Sequence, residues 1–119
     1  MSTSIFQVEF INDDCLCLIN QQKTIQLSEI ILMKADVNYT QIHLQNGKKV
    51  LIAKTLKTFE TILANHQFYR IHRATMINGK HLQQYDSILG EVLMTNNYRV
   101  VASRRRKVIF EELLGEVNA

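Results

Sequence analysis

The chain has 119 residues, 46% of them hydrophobic, which is the size and composition of one domain with an ordinary buried core. No apolar run approaches the about 18 residues that a membrane span needs, and the N-terminus lacks the basic and apolar regions of a secretory signal, so we expect a cytoplasmic protein without membrane insertion. The formal net charge of +3 is uneven: residues 1–50 hold 4 Lys and Arg against 5 Asp and Glu, whereas residues 51–119 hold 10 against 6, which points to a polyanionic partner.

Short strands dominate the first half of the chain. The segment IFQVEFI alternates apolar and polar residues, as a half-buried strand does, and CLCLI and KTIQL follow it, with a turn expected at residues 20–22. IILMKA is an apolar run of strand length, and YTQIHL alternates again. The dipeptide Asn46-Gly47 then predicts a tight hairpin turn into a strand at VLIA.

The second half of the chain continues in the same way. Its strand-like segments are FYRIH, ATMIN, EVLMT and YRVVA, with turns expected at Asn78-Gly79 and Asn96-Asn97. No low-complexity segment or internal repeat interrupts the chain. We therefore predict a single, mainly β domain of about ten short strands over residues 1–119.

One segment between these strands has helical spacing instead. In KTLKTFETILANH, Thr55 suits an N-cap, and the apolar residues behind it recur at helical intervals. A short amphipathic helix is therefore predicted near residues 56–64, with a buried face formed by Leu56, Phe59, Ile62 and Leu63.

A second helix is predicted at the C-terminus, near residues 104–114. Ser103 suits its N-cap and Gly115 its end, and the apolar side chains between them are expected to dock on the sheets. Four cations, residues 104–107, crowd the first turn, where the helix dipole is already positive. Either this end is simply solvated or an anionic partner lies against it. The expected apolar stripe consists of Ile109, Phe110, Leu113 and Val117.

Nothing in the sequence indicates catalysis, a metal or a cofactor. Ser, His and Asp occur in no recognisable catalytic motif, and the four glycines lie too far apart for a phosphate-binding loop. Cys15 and Cys17 are expected to be reduced, partly buried thiols, because no third ligand or CxxC spacing accompanies them. The four histidines are scattered singly and lack zinc-site spacing.

Seven short motifs along the chain are more specific than its composition. In chain order they are Ile30, AD-NYT, HL-NGK, KTL--FE, F-RIHR, IN--HL and ASRR. Over residues 27–114 they resemble the LytTR family of bacterial DNA-binding domains in order and spacing. Lys34 and Met76 depart from residues common at those positions. The resemblance implies a LytTR-type fold of about ten short, mostly antiparallel strands, with residues 1–26 as N-terminal strands.

The resemblance also implies which residues meet DNA, through loops that enter the major groove. The base-contacting positions of the family correspond to Asn38 with Tyr39, to Arg73 and to Arg105. Asn can pair with adenine and Arg with guanine by two hydrogen bonds each, and a phosphate backbone would relieve the crowded charges of the C-terminal helix. In RIHR, Arg73 is expected to leave the strand for solvent; an ion-paired arginine is the alternative. The expected phosphate contacts are Lys54, His72, Ser103, Arg104, Arg106 and Lys107.

The partner implied by the resemblance is double-stranded DNA with paired, same-direction sites, bound by two copies of the chain with or without a stable homodimer. We expect a free-standing transcription regulator without a receiver domain, controlled by its abundance or by a regulatory protein partner. The alternative is a protein-interaction module of the same fold that binds an inhibitor or a membrane partner. RNA is a weaker candidate, because no aromatic stacking platform lies on adjacent predicted strands.

Overall fold

The computed structural model describes residues 5–6, 8–11, 14–18 and 23–118. The turn expected at residues 20–22 lies outside these residues. The described chain has two α-helices, α1 at Leu56–Ile62 and α2 at Arg104–Asn118, and twelve strands. The strands are β1 Ile5–Phe6, β2 Val8–Ile11, β3 Cys15–Leu18, β4 Lys23–Gln26, β5 Ile30–Asp36, β6 Tyr39–Leu44, β7 Lys49–Ile52, β8 Phe68–His72, β9 Thr75–Asn78, β10 Leu82–Asp86, β11 Glu91–Met94 and β12 Arg99–Val101.

The strands form a central six-stranded sheet with a smaller sheet beside each of its faces. The central sheet has the order β1-β7-β6-β5-β9-β8, and the three-stranded sheets are β2-β3-β4 and β10-β11-β12. Among the described strands, every pair is antiparallel except the parallel pair β1 and β7. The mainly β prediction is confirmed.

Two differences raise the strand number from about ten to twelve. The segment IFQVEFI supplies strands to two sheets, since β1 joins the central sheet and β2 pairs with β3. Strand β10 has the sequence LQQYD and was not predicted from the pattern, because its residues do not alternate between buried and exposed. It is a strand through its pairing with β11.

The hydrophobic core lies on both faces of the central sheet. One cluster packs Ile30 and Met33 of β5 against the β2-β3-β4 sheet and Phe59 of α1. The other packs Ile31 and Leu32 against the β10-β11-β12 sheet and α2. Strand alternation alone would send the neighbours Ile31 and Leu32 to opposite faces, but a register shift between Ile30 and Leu32 places both in the same cluster. Burial on both faces explains why the first four residues of this segment, IILM, are all apolar.

Both helices begin as predicted, but α2 differs from the prediction in its end and its buried face. Gly115 lies inside α2, which continues to Asn118, so the prediction of a stop at Gly115 was wrong. Gly115 does not adopt the positive φ with which a C-cap glycine ends a helix. Phe110 is buried and Leu114 packs beside it. Ile109 and Leu113 are exposed, against the prediction, and line a groove of about 290 Å³ beside α1. The side chain of Val117 is outside the described set.

The predicted turns within the described residues are present, and the residues of each turn explain its conformation. Gly47 has φ +87, which glycine adopts without strain, and the Asn46 side chain accepts a hydrogen bond from the Lys48 amide at 2.9 Å. Asn96 and Asn97 both have φ 62, as asparagine tolerates. The segment Gly79–His81 is a 3-10 turn that leads from the central sheet to β10.

Candidate nucleic-acid interface

One end of the central sheet gathers the loops that sequence reasoning singled out. The strands β6, β5, β9 and β8 are antiparallel neighbours, so the turns β5–β6 and β8–β9 emerge at the same end as the chain that leaves β7. We call this end, with the adjacent start of α2, the cationic end. It comprises residues 34–40, 53–55, 72–75 and 103–107.

Three hydrogen bonds hold these loops in fixed positions relative to one another. The Ala35 amide donates to the Ala74 carbonyl at 2.9 Å, which joins the β5–β6 turn to the β8–β9 turn. The Ser103 amide donates to the Ile71 carbonyl at 2.8 Å, which places the start of α2 beside β8. The Thr40 hydroxyl donates to the Lys54 carbonyl at 2.7 Å. Positions far apart in the sequence therefore form one continuous surface.

The charge of this surface is one-sided. Its segments contain seven Lys and Arg residues and a single acid, Asp36. Arg73, Arg104 and Arg105 are exposed, and no carboxylate of the described residues lies within the 4.0 Å of an ion pair from them. Unpaired arginines in fixed loops are available for an anionic ligand.

The β8–β9 turn is shaped by side chains on its own strand. Strand β8 ends at His72, and Arg73 follows in the exposed turn while Ile71 stays fully buried, as expected for an arginine that leaves the sheet. The Ala74 amide donates to Nδ1 of His72 at 3.1 Å, so Nδ1 carries no proton and Nε2–H is left as a donor. A guanidinium nitrogen of Arg70 donates to the Arg73 carbonyl. Both contacts fix the backbone that presents Arg73.

Glu60 of α1 links that turn to the start of α2. Its carboxylate lies 3.7 Å from Nη1 of Arg70 and 3.3 Å from Nη1 of Arg106. Arg106, expected as a free phosphate contact, therefore shares its charge with Glu60. Sequence reasoning missed Arg70 and Glu60 as positioning residues, although both belong to the motifs F-RIHR and KTL--FE; their role depends on contacts between segments far apart in the chain.

The start of α2 presents a helix N-terminus together with free cations. Ser103 caps it: its side-chain oxygen accepts from the Arg106 amide at 3.3 Å, and its carbonyl accepts from the Lys107 amide at 2.8 Å. The alkyl chain of Lys107 lies against the β10–β11 turn, 3.5 Å from where a Cβ on Gly90 would be. Among the described residues, no carboxylate pairs with Arg104, Arg105 or Lys107, so the first turn of α2 combines the amides of a helix start with three cations.

The β5–β6 turn consists of two exposed residues, Val37 and Asn38. Val37 has φ 57, and Asn38 makes no side-chain hydrogen bond to any residue that the structure describes. Tyr39 follows at the first position of β6, partly exposed. The polar groups of Asn38 are thus free to meet a ligand.

The described residues contain neither a candidate metal site nor a candidate membrane-spanning helix. Within them, no group of three or more His, Cys, Asp or Glu side chains could hold a metal ion. None of their helices has the length and apolar character needed to cross a bilayer.

Fold and surface together define a small β domain that carries cationic loops at one end of its central sheet. The LytTR family, described as the LytTr DNA-binding domain, matches residues 20–115, and the chain therefore belongs to this family. It is a non-catalytic family that binds DNA in transcription regulation. A solved LytTr DNA-binding domain from Bacillus cereus is 24% identical, with a TM-score of 0.71 over 87% of this chain and 99% of that one, and it shares the fold. No curated protein matches the sequence.

Proposed function

We propose that this protein is a sequence-specific transcription regulator that reads the major groove of double-stranded DNA through the loops of the cationic end. The observation that carries the proposal is the meeting of Asn38, Arg73 and Arg105 on one surface, with their polar side chains unpaired among the described residues. We infer that these three exposed side chains, two from turns of the sheet and one from the adjacent start of α2, are the base readers.

The three readers are assigned by their hydrogen-bonding capacity. Arg73 and Arg105 each suit guanine O6 and N7, and Asn38, with Tyr39 beside it, suits adenine N6 and N7. The β5–β6 and β8–β9 turns are two strand spacings apart in the sheet, about 10 Å, which corresponds to roughly three base-pair steps along one strand. Asn38 and Arg73 therefore read neighbouring parts of one site.

Phosphate contacts surround these readers. Lys54, Arg104 and Lys107 supply unpaired charge, and Arg106 supplies charge that it shares with Glu60. His72 offers Nε2–H, because its Nδ1 already accepts from the Ala74 amide. The Ser103 hydroxyl can donate its hydrogen to a phosphate while its oxygen accepts from the Arg106 amide. Such contacts fix the protein on the duplex without carrying sequence information.

We also propose two copies on paired, same-direction sites, as the family resemblance implies, and a cytoplasmic location follows from binding DNA. A regulatory protein partner stays a prediction.

Selection of bound duplexes from a random pool tests the proposal directly. The expected result is a defined motif, with guanine at the positions read by the arginines. A protein that folds but enriches no motif would refute sequence-specific reading and favour the protein-interaction module.

A further inference from the structure

Val37 combines an exposed apolar side chain with an unfavourable backbone conformation, and the fold does not explain either. It is 87% exposed at the tip of the β5–β6 turn, and its φ of 57 lies in the left-handed region. Residues with a branched Cβ rarely adopt this conformation, which suits glycine or asparagine. The other described residues with positive φ are Gly47, Gln67, Gly90, Asn96 and Asn97, none of them branched at Cβ. Neither burial nor local conformation accounts for a valine here.

Strand pairing and two hydrogen bonds fix the turn, so that the Val37 side chain points into solvent. Asp36 pairs with Tyr39 and Ala35 with Thr40 on either side of the two-residue turn. The Ala35 amide is bound to the Ala74 carbonyl, and the Thr40 hydroxyl to the Lys54 carbonyl. The valine side chain is therefore presented at a fixed place on the ligand-facing surface. Strained residues in such places often serve function.

The surroundings of Val37 indicate which partner it meets. Asn38 is its neighbour, the Arg73 turn is joined to it through Ala35, and the surface is strongly positive. One apolar side chain among cations and amides does not suit an apolar protein surface. It does suit a polyanion that carries isolated apolar groups, and in the major groove that group is the C5-methyl of thymine.

We propose that Val37 contacts the C5-methyl group of a thymine beside the base read by Asn38, and so selects thymine at that position. This inference rests on the proposed function and adds a specificity-determining residue to it. The apolar contact complements the hydrogen bonds of Asn38 because both side chains stand on one two-residue turn.

The test uses the duplex that the parent protein selects. Each thymine is replaced singly by deoxyuridine, which lacks only the methyl group, and affinity is measured for the parent and for Val37→Ala. The parent should lose about three- to fivefold at one thymine, the loss expected for one buried methyl group. Val37→Ala should bind both duplexes alike at that position. Ile88→Ala, which truncates a 90% exposed residue of the β10–β11 turn, should keep the sensitivity of the parent.

Val37→Gly adds a measurement that a structural role would not produce. Glycine relieves the left-handed conformation, so the melting temperature should stay level or rise while the discrimination of thymine from deoxyuridine disappears. If the parent selects a motif but tolerates deoxyuridine everywhere, or if Val37→Ala keeps the same sensitivity, the thymine contact is wrong and the proposed function stands. If the parent selects no motif, both fall together.

Discussion

The two ends of the central sheet use similar side chains for opposite purposes. We call the end opposite the cationic end the bonded end; it comprises residues 27–30, 44–48, 78–82 and 94–98. There, polar side chains donate hydrogen bonds to the backbone of other segments. Nδ2 of Asn78 donates to the carbonyls of Leu27 at 3.2 Å and Ile30 at 2.8 Å. The His81 ring lies 2.6 Å from the Ser28 carbonyl, and Asn96 donates to the Gln45 carbonyl at 2.9 Å. At the cationic end, the side chains of Asn38, Arg73 and Arg105 make no hydrogen bond or ion pair with any residue that the structure describes.

Charge alone does not separate the two ends. The bonded end has its own exposed cations, Lys48 and Lys80, in turns that asparagine side chains shape. What distinguishes the cationic end is that neighbouring residues hold the loops of Asn38, Arg73 and Arg105 in place, while these three side chains have no bonding partner among the described residues. Buried polar groups that are satisfied internally specify a fold, whereas exposed groups that are fixed and unsatisfied are suited to a partner.

The largest expected effect is the salt dependence of binding at the cationic end. With four or so phosphate contacts, log K should fall against log salt with a slope of roughly −3 to −5, a loss of about 10²- to 10³-fold between 50 and 200 mM salt. Lys107→Ala should make the slope shallower by about 0.9, and Lys48→Ala at the bonded end should leave it unchanged. Equal effects of the two variants would show that net charge, rather than this surface, drives binding.

A pair of asparagine variants compares the two ends in the same chemistry. Asn78 is 1% exposed and bridges two carbonyls, so Asn78→Ala should lower the free energy of unfolding by about 2–4 kcal/mol. Asn38→Ala should change it by less than about 0.5 kcal/mol, since the side chain is exposed, but should weaken binding to the selected duplex. Chemical denaturation and binding titrations measure both quantities. A strongly destabilised Asn38→Ala would mean that this amide is structural too.

Base readout should divide the cationic end into separate positions. Arg73→Ala and Arg105→Ala should each cost about 1–3 kcal/mol against the preferred base only, and each should relax a different part of the motif in the random-pool selection. Lys107→Ala should weaken all sequences alike. Uniform loss of affinity with an unchanged motif in the arginine variants would show that these loops supply charge rather than readout.

Acid should destabilise the fold through His43, a buried residue of β6 next to the bonded end. Burial, followed by the positive charges of Lys34 and Lys49, lowers the pKa of His43 to about 4 from an ordinary 6.5. Between these values the unfolded chain binds a proton that the folded chain does not, so the stability contributed by neutral His43 is complete above pH 6.5 and is lost as pH falls towards 4.

Denaturation at pH 7.5 and pH 5 measures this effect. The loss attributable to His43 should be about 1–2 kcal/mol at pH 5, and His43→Gln should abolish most of that difference even though it lowers stability at pH 7.5. His66→Gln, a partly exposed histidine, is the matched control and should keep the pH dependence of the parent. If His43→Gln keeps the parent's difference in unfolding free energy between pH 7.5 and pH 5, other groups cause the acid sensitivity.

A small effect on stability is also expected at Glu60. Glu60→Gln removes a partly exposed carboxylate between Arg70 and Arg106, so the free energy of unfolding should change by about 1 kcal/mol or less. Because Arg106 gains free charge and the two loops lose their link, non-specific affinity should rise at low salt while base discrimination falls. Glu91→Gln breaks the exposed pair with Arg99 instead and should change neither quantity. Discrimination that survives in Glu60→Gln would show that the link does not position the readers.

Features that depend on a few adjacent residues could be predicted from the sequence. The hairpin at Asn46-Gly47 follows from the φ that glycine permits, and the starts of α1 and α2 follow from the capping hydroxyls of Thr55 and Ser103. Most strands could be predicted because short apolar runs record burial on both faces and alternating runs record burial on one. The candidate contacts Asn38, Arg73 and Arg105 came from motif spacing, and the structure brings their loops to one end of the sheet.

Features that depend on contacts between distant segments were decided only by the tertiary structure. Strand β10 has no alternation and exists because β11 pairs with it. The buried face of α2 contains Phe110 and Leu114 rather than Ile109 and Leu113. The reason is that β8 and the β10-β11-β12 sheet lie on that side of the helix. The bridge from Glu60 to Arg70 and Arg106 spans 46 residues of sequence at its longer arm. Local patterns record backbone preference and burial, whereas which segment provides that burial, and which carboxylate meets which arginine, depends on how the sheets pack.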